Sequence, residues 1–310
     1  MQHAPPSLDS CLPMKNPCWK VEGDKQPRCL PYVYLAGSFQ AGVNSLTDKL
    51  MRHPDVVTND MTRWQFWGEE GKAMSQYVAG HGRSFDKLHE SPDKRMLLDA
   101  SSSTFAFYWS AGLRAHQAFQ RTVRPCHHNC STASAGDQAK HAKCMDEVCF
   151  TRAHEADLAV AAAANSSFEF LQLPVLMAAA YGPGTARLPK MLLLLRNPID
   201  RLHSAYWSHP HYKGKYGESA QGELAYLQEQ IGAMRSCEVK GHTMEECALY
   251  FETYSMEEEV LFFHADQVIR GMYAIFLERW MTHLGRDNVL VIRAEDYFAG
   301  SRLVATAPYK

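Results

Sequence analysis

The chain lacks long apolar segments. None of its 310 residues lies in an uninterrupted apolar run of about 18, the shortest that predicts a membrane-spanning helix. Residues 1–30 also lack the apolar core of a signal peptide. The sequence therefore predicts neither a membrane span nor a cleaved leader.

The chain also has little net charge. Lys and Arg total 32 and Asp and Glu total 34, so the formal net charge is −2. This balance argues against general attraction to nucleic acids or to anionic membranes. An anionic polymer would need a local cluster of cations. No internal repeat is present, which argues against repeat architectures.

The chain does contain enough apolar residues, 46%, to bury the core of one large domain. Short apolar runs alternate with helical patterns, which predicts an α/β fold with a parallel β-sheet flanked by helices on both faces. In such folds ligands bind beyond the carboxyl ends of the strands. The predicted strands are 32–36, 96–99, 191–195 and 288–294. The predicted helices are 44–52, 104–119, 155–180, a helix from 198, 218–235, 243–254 and 257–283.

The segment from Met191 to Tyr206, MLLLLRNPIDRLHSAY, carries the clearest pattern. Its apolar start is typical of a strand buried on both faces, and Pro198 suits the first turn of a helix. Arg196 then leaves the carboxyl end of the strand, and Ser204 lies one to two turns into the helix. A guanidinium and a hydroxyl that converge suit a phosphate monoester. The alternative is a strand–turn–helix whose arginines are solvated.

A second strand–loop–helix pattern lies near the amino end. The apolar run Tyr32–Ala36 leads into a loop bracketed by glycines, and the following helix ends at Pro54. The amides and dipole of such a helix amino terminus form a ready anion site. Val43 and Asn44 follow the G-x-x-x-x-G spacing where kinases and NTPases have Lys-Ser/Thr, which disfavours that class. The loop consists of Gly37, Ser38, Phe39, Gln40, Ala41, Gly42, Val43, Asn44, Ser45 and Leu46.

In this order, and about 150 residues apart, the two segments resemble the PAPS-dependent sulfotransferases, where PAPS is 3′-phosphoadenosine 5′-phosphosulfate. The family pattern R-x-P-x-x-R-x-x-S-x-Y is complete here, from Arg196 through Arg201 to Tyr206. The stretch Ile269–Gly300 is similar to a late helix and strand of that family. Within it, the chain leans toward the carbohydrate sulfotransferases, nearest to the type that 6-O-sulfates N-acetylgalactosamine 4-sulfate.

The resemblance implies a P-loop-like sheet and transfer of a sulfuryl group from PAPS, as co-substrate and without a metal, to a carbohydrate hydroxyl of glycosaminoglycan type. It also implies that the loop holds the 5′-phosphosulfate and that Arg196 and Ser204 hold the 3′-phosphate. The nucleotide-binding residues expected from the resemblance are Gly37, Ser38, Gln40, Ala41, Gly42, Val43, Asn44, Ser45, Leu46, Arg196 and Ser204.

The expected catalytic residues, Gln40 and Asp60, depart from the family pattern. Gln40 stands where the family has a lysine, and glutamine donates a hydrogen bond without bringing positive charge. For the base, one alignment places Arg63 and Trp64 at the family's Lys and Glu positions and leaves no carboxylate. A looser alignment offers Asp60, and Glu69 or Glu70 lie just beyond. Losing one preorganised donor costs about 10²- to 10³-fold in rate. The alternative function is therefore an impaired protein that binds nucleotide or glycan without turnover.

The chain has nine cysteines. Four of them lie with histidines in residues 126–149, at spacings that suit either zinc or disulfides. The resemblance implies a secretory lumen, where cysteines pair, so disulfides are the preferred expectation. Cys237 and Cys247 are expected to form a local bridge, the alternative being two buried thiols. Glycosylation sequons at Asn129 and Asn165 agree with a lumenal location.

The expected organisation is an irregular segment over 1–30 and a sulfotransferase domain over 31–310, with a cysteine-rich insertion at about 121–150. The resemblance implies a carboxyl end that continues further, and a Golgi lumenal protein whose only membrane link is an anchor absent from this chain. A cytoplasmic protein with reduced cysteines is the alternative. Neither a nucleic-acid partner nor an oligomeric state is predicted.

A glycosaminoglycan acceptor needs a local basic cleft on a chain that is nearly neutral. The candidate contributors are Lys213, Lys215, Arg63 and Arg83. For the two lysines, the alternative is a solvated loop.

Overall fold

The structure is a computed structural model that describes residues 13–58, 61, 63–68, 72–110, 112–182, 188–251 and 266–300. Its strands are β1 (Cys18–Trp19), β2 (Arg28–Cys29), β3 (Val33–Gly37), β4 (Val56–Val57), β5 (Met96–Asp99), β6 (Lys190–Leu195) and β7 (Val289–Arg293). Its α-helices are α1 (Val43–Leu50), α2 (Met74–Gly82), α3 (Phe85–His89), α4 (Gln117–Ser134), α5 (Gln138–Cys144), α6 (Thr151–Ala163), α7 (Leu173–Ala180), α8 (Pro198–Ser208), α9 (Pro210–Tyr216), α10 (Ala220–Val239), α11 (Met244–Phe251), α12 (Asp266–Ile269), α13 (Tyr273–Leu284) and α14 (Ala294–Phe298).

Five strands form one sheet in the order β4–β5–β3–β6–β7, and every neighbouring pair is parallel. The register sets Tyr34 beside Met191 and Leu193 beside Val291. Parallel neighbours require crossover connections, which the intervening helices supply. Because β3 and β6 are adjacent, the loops that follow them leave the same edge of the sheet side by side.

The apolar runs of the central strands are buried on both faces. Tyr34 and Met191 lie on one face, in a cluster that includes Trp280 of α13. Leu35, the next residue of β3, faces the opposite side and belongs to a cluster with Leu46 of α1. Successive side chains of a strand point to opposite faces, so each strand contributes to two cores. Helices cover both faces of a parallel sheet, and the predicted fold class is confirmed.

The apolar pattern that predicts a helix over 104–119 is misleading, and this prediction is wrong. Thr104–Ala106 forms a single 3₁₀ turn, and Phe107 is already extended. The chain then pairs with a distant segment: Trp109 bridges to Gln172, and the Leu173 amide donates to the Tyr108 carbonyl. The apolar run is therefore a buried extended segment, whose partner lies too far along the sequence to be read locally. The helix begins only at Gln117.

The predicted helix 155–180 is two helices, α6 and α7. Asn165 adopts a left-handed conformation, with φ of 49°, just after α6 ends. Pro174 then lies in the first turn of α7, where proline is tolerated. Predicted helix 257–283 lies partly outside the described residues; within them it is α12 and α13, separated by a turn in which the Gly271 amide donates to the Val268 carbonyl at 2.9 Å.

The irregular segment expected over 1–30 contains a short antiparallel pair. Strands β1 and β2 pair Cys18 with Cys29, and these two cysteines form a disulfide. Both cysteines are fully buried. A crosslink over a short loop thus orders a segment whose local sequence predicts none, while residues 1–12 lie outside the described part.

The cysteine-rich segment near 121–150 is helical, and disulfides join its helices. Cys126 pairs with Cys149, and Cys130 pairs with Cys144. Three of these sulfurs, those of Cys126, Cys130 and Cys149, lie within 4.8 Å of one another because the two bridges are adjacent. A disulfide sulfur is not a thiolate ligand, so the structure supports the disulfide alternative over zinc.

The predicted bridge between Cys237 and Cys247 is confirmed, and it ties the end of α10 to α11. None of the helices within the described ranges is long and apolar enough to cross a bilayer.

Candidate functional site

The loop between β3 and α1 closes tightly at the carboxyl edge of the sheet. The Ala41 amide donates to the Ser38 carbonyl at 3.1 Å. Gln40 and Gly42 both have positive φ, 62° and 88°, and Gly42 is the N-cap of α1. Because glycine has no side chain to accept from the first-turn amides of α1, these donors suit an anion.

Two glycines of the loop are required by close packing. A Cβ at Gly37 would lie 2.9 Å from Cβ of Phe105, and one at Gly42 would lie 2.4 Å from Cζ of Phe298. Both distances are shorter than van der Waals contact. The loop therefore depends on glycine for its approach to neighbouring rings, and at Gly42 also for its conformation.

The loop between β6 and α8 is fixed by contacts on both sides. Asn197 caps α8, since its Oδ1 accepts from the Ile199 amide at 2.9 Å. The Asn197 amide in turn donates to Oε1 of Glu295 at 2.7 Å. This hydrogen bond lowers the pKa of the Glu295 carboxyl. The Tyr273 hydroxyl donates to the Arg196 carbonyl at 2.8 Å, so the backbone that carries Arg196 is held by α13 and α14.

The two loops meet at Gln40. Nη1 of Arg196 donates to the Gln40 carbonyl at 3.3 Å. The Ser204 hydroxyl donates to Oε1 of Gln40 at 3.2 Å, and the Ser208 hydroxyl donates to the same oxygen at 3.4 Å. The partners of Gln40 lie 156 to 168 positions after it in the sequence, and together they form one polar cluster at the edge of the sheet. We call Gln40, Arg196, Ser204 and Ser208 the open cluster, because none of the four is buried.

The second arginine of the motif is not part of this cluster. Arg201 is fully buried, and its guanidinium donates to Oε1 of Gln267 at 3.1 Å and also to the Gln267 carbonyl. The alternative of solvated arginines is therefore wrong for Arg201. Tyr206, also buried, donates to the Gly217 carbonyl. Arg201 and Tyr206 hold the helix in place, whereas Arg196 and Ser204 are partly exposed at the edge of the sheet.

The expected nucleotide-binding residues of the first loop divide by exposure. Asn44 is exposed, and its neighbours along the loop are half-buried or buried. The Ser45 hydroxyl lies 3.1 Å from the Tyr297 hydroxyl. Four of these residues have buried side chains: Ser38, Ala41, Val43 and Leu46. At these positions mainly the backbone groups remain for a ligand.

The structure does not test the expected base. Asp60 lies outside the described residues. Arg63 is exposed, whereas Phe66 and Trp67, a few residues on, are fully buried and pack against Tyr77. The aromatic stretch is therefore largely core.

The candidate cations for an acceptor are partly neutralised. Nζ of Lys213 lies 3.0 Å from a Glu218 carboxylate oxygen, and Nζ of Lys215 lies 2.9 Å from one of Glu229. Arg83 is exposed on the surface beside α2, next to residues of the amino-terminal hairpin. The lysine stretch is thus helix α9 with paired charges rather than a solvated loop.

A second polar cluster lies on the other side of β3. The Tyr77 hydroxyl donates to Oδ2 of Asp99 at 2.8 Å and lies 2.9 Å from the Tyr34 hydroxyl, which is 2.9 Å from that of Tyr181. Each is at most 2% exposed. Burial raises the pKa of Asp99 to about 6 and also raises the pKa values of the three phenols. We call Tyr34, Tyr77, Asp99 and Tyr181 the closed cluster.

Sequence reasoning missed one member of the open cluster, Ser208, and one residue near the first loop, Arg270. Ser208 is four residues after Ser204, so helical spacing could have indicated that both hydroxyls share a face. Arg270 lies near Phe39 of the first loop, with its Cζ 5.4 Å from the ring centroid. No local pattern indicates that contact, because it depends on where the turn before α13 packs.

No family model matches the chain. The chain is similar to proteins named carbohydrate sulfotransferase 15: it is 23% identical over 276 residues to those of Rattus norvegicus and Mus musculus, and 23% identical over 270 residues to that of Homo sapiens. Each match covers 87% of this chain and 41% of the relative, so the chain spans about two fifths of the length of these curated relatives. The resemblance to the carbohydrate sulfotransferases is confirmed.

Among solved structures, the chain aligns with a sulfotransferase from Alicyclobacillus acidocaldarius at 16% identity and a TM-score of 0.36, over 87% of this chain and 76% of that one.

Proposed function

We propose that this chain binds PAPS and transfers its sulfuryl group to a carbohydrate hydroxyl. The observation that carries the proposal is the contact of Arg196 and Ser204 with Gln40. A guanidinium, hydroxyls and a helix amino terminus converge there at the edge of the sheet where α/β folds bind ligands. The similarity to carbohydrate sulfotransferases supports the same donor and acceptor class.

In this proposal the two loops hold opposite ends of the nucleotide. The backbone amides at the start of α1 bind the 5′-phosphosulfate, since Gly42 leaves them without a side-chain cap. Arg196 and Ser204 bind the 3′-phosphate, for which a guanidinium fork is the suited partner. Glu295 and Tyr273 fix the loop that carries Arg196. Catalysis then comes mostly from positioning and from stabilising developing charge.

The reaction is an in-line displacement at sulfur. A bond forms between the acceptor oxygen and sulfur as the bond from sulfur to the bridging phosphate oxygen breaks. The electron pair of the broken bond stays on the phosphate, and 3′,5′-adenosine bisphosphate leaves. The acceptor proton passes to a base, for which Asp60 is the candidate.

A second candidate is a protein that binds the nucleotide without turnover. The observation that favours it is Gln40, whose carbonyl accepts from Arg196 and whose side-chain oxygen accepts from Ser204 and Ser208. These contacts hold the glutamine in place, but its own side chain carries no positive charge. Nucleotide binding is then retained while the leaving group is poorly stabilised.

The acceptor class and location are part of the proposal. The names of the relatives favour a carbohydrate, and we propose a glycosaminoglycan-like polymer. Four disulfides within the described residues fit an oxidising compartment, here the Golgi lumen, better than the cytoplasm.

Binding is tested with 3′,5′-adenosine bisphosphate. At about 100 times Kd this ligand is expected to raise the free energy of unfolding by about 2.7 kcal/mol. Arg196→Ala removes the guanidinium and is expected to abolish that gain. Denaturant unfolding with and without the nucleotide measures it.

The matched control is Arg286→Ala. Arg286 is exposed before β7, at the opposite edge of the sheet, so this variant changes net charge equally and keeps the gain. A gain in the Arg196 variant equal to that of the control would contradict the assignment.

Turnover is tested with Gln40→Lys, using PAPS and chondroitin-type acceptors. Sulfate transfer by the wild type would exclude the protein that only binds. Transfer that is absent in the wild type and present in the lysine variant would support it.

A further inference from the structure

The loop that would hold the phosphosulfate contains no charge. Between Gly37 and Leu46 there is no Lys, Arg or His. The transferring sulfuryl group carries negatively charged oxygens, and preorganised positive charge at this group is a large catalytic term. A cation for this site must therefore come from another segment.

Arg270 is a cation that approaches this loop at the ring of Phe39. Its Cζ lies 5.4 Å from the ring centroid of Phe39 and 5.1 Å from that of Phe107. The residue is half-buried. Two aromatic faces favour a guanidinium in this position and limit its freedom. Phe39 precedes Gln40 in the chain, so Arg270 contacts the residue next to the position that lacks a charge.

The backbone around Arg270 is fixed against the second loop. A Cβ at Gly271 would lie 3.1 Å from Cβ of Pro198, which shows how closely the turn packs on the start of α8. Two residues further, Tyr273 donates to the Arg196 carbonyl. Arg196 and Arg270 are thus anchored on one framework, and they approach different residues of the first loop, Gln40 and Phe39.

Phe107, the second ring that Arg270 contacts, packs against the stretch of the chain in which an acceptor base is expected. A Cβ at Gly68 would lie 3.0 Å from the Phe107 ring, so Gly68 packs against that ring. Arg270 accordingly contacts the first loop through Phe39 and the segment after β5 through Phe107, and Gly68 packs on the same Phe107 ring. This is where donor and acceptor would come together.

We propose that Arg270 supplies the positive charge that stabilises the transferring sulfuryl group, in place of a cation at Gln40. The inference rests on the proposed function, because it requires PAPS in the first loop. Arg196 binds the 3′-phosphate, and Arg270 binds the sulfonate oxygens. The two arginines therefore divide the nucleotide's charges between them.

The two roles are separated by comparing PAPS with 3′,5′-adenosine bisphosphate, which lacks the sulfuryl group. Arg270→Gln is expected to weaken PAPS binding by about 10-fold, which corresponds to about 1.4 kcal/mol, and to leave bisphosphate binding within about twofold. The rate of sulfate transfer is expected to fall by about 10²- to 10³-fold. Titration calorimetry with each nucleotide and a transfer assay measure these effects.

Arg270→Lys keeps the charge and is expected to retain most of the preference for PAPS. Arg286→Gln removes a distant exposed arginine and is expected to change neither affinity. Gln40→Lys in the Arg270→Gln background is expected to restore PAPS binding, because it returns a cation to the first loop.

The outcomes distinguish the two proposals. Failure of the wild type to bind either nucleotide would overturn the proposed function and this inference with it. Normal binding of both by Arg270→Gln would overturn the inference alone. Equal weakening of both nucleotides would also overturn it, because Arg270 would then act on the loop or on the adenosine bisphosphate rather than on the sulfuryl group. Thermal unfolding of each variant checks that it is folded.

Discussion

The open and closed clusters flank the same strand and share little else. On the β6 side of β3, Gln40 accepts from Arg196 and Ser204 with half-exposed groups. On the β5 side, Asp99 and Tyr77 are fully buried and bonded to each other. The first cluster has unused hydrogen-bonding capacity toward solvent, whereas the polar groups of the second bond to one another and to other buried groups such as Ser101 and the Pro31 carbonyl.

The comparison shows that a perturbed pKa does not by itself locate a site. Asp99 and the three phenols of the closed cluster have strongly raised pKa values, and desolvation is the first cause for each of them. Perturbed groups indicate function when they line a cleft, and these line the interior. The candidate site is instead the open cluster, which is identified by geometry.

The largest expected effect compares the two arginines of one motif. Arg201→Ala leaves a cavity in the core and removes the buried hydrogen bonds from the guanidinium to Gln267, and we expect the free energy of unfolding to fall by about 4 kcal/mol. Arg196→Ala removes a partly exposed group and is expected to change stability by less than about 0.5 kcal/mol. Urea unfolding of both variants without nucleotide measures the contrast. Similar losses in the two would mean that Arg196 is structural too.

The difference between these two arginines shows which structural features the sequence could predict and which it could not. The strand before Arg196 and the proline-started helix after it follow from local signals, and β6 and α8 confirm them. The convergence of Arg196 and Ser204 on the first loop follows from adjacent parallel strands. The burial of Arg201 does not, because its partner, Gln267, is 66 residues away.

Long-range packing also explains the misread helix at 104–119. Those residues are apolar enough for a buried helix, but pairing of Trp109 with Gln172 holds them extended. Arg270 was missed for the same reason. Its role depends on the packing of Gly271 against Pro198, which no spacing in the sequence encodes.

The next largest effect concerns the pH dependence of the closed cluster. Burial raises the pKa of Asp99 from 3.8 to about 6, so the folded state keeps its proton at pH values where the unfolded state loses it. The contribution of Asp99 to the free energy of unfolding is therefore greatest below about pH 4. It falls as the pH rises to about 6 and is then constant. The loss is about 3 kcal/mol.

Asp99→Asn cannot titrate and isolates this contribution. We expect the stability of the wild type to fall by about 3 kcal/mol relative to Asp99→Asn between about pH 4 and pH 7. Denaturant unfolding of both proteins across that range measures the difference. Parallel stability curves would show that Asp99 is ionised in the folded protein, and that the closed cluster is more solvated than its burial indicates.

The smallest effect tests whether the open cluster depends on backbone packing. Gly42 and Gly136 share a φ of 88°, but a Cβ at Gly42 would meet the Phe298 ring whereas one at Gly136 has nothing within 4 Å. In both alanine variants the cost of a left-handed alanine is expected to lower the free energy of unfolding by about 1 kcal/mol. For Gly42→Ala the free energy of unfolding is expected to fall by about 1 kcal/mol more, because the Phe298 ring must move.

Phe298 is 59% exposed, so its ring can swing outward instead of forcing the loop open. Adding Phe298→Ala to Gly42→Ala is therefore expected to remove the extra loss and leave a cost close to that of Gly136→Ala. Nucleotide binding should be weaker in both Gly42 variants and normal in Gly136→Ala, since only Gly42 caps the helix of the first loop. If Gly42→Ala and Gly136→Ala had equal stability and equal nucleotide affinity, the amides at the start of α1 would not be the anion site, and the open cluster would have to bind its ligand through side chains alone.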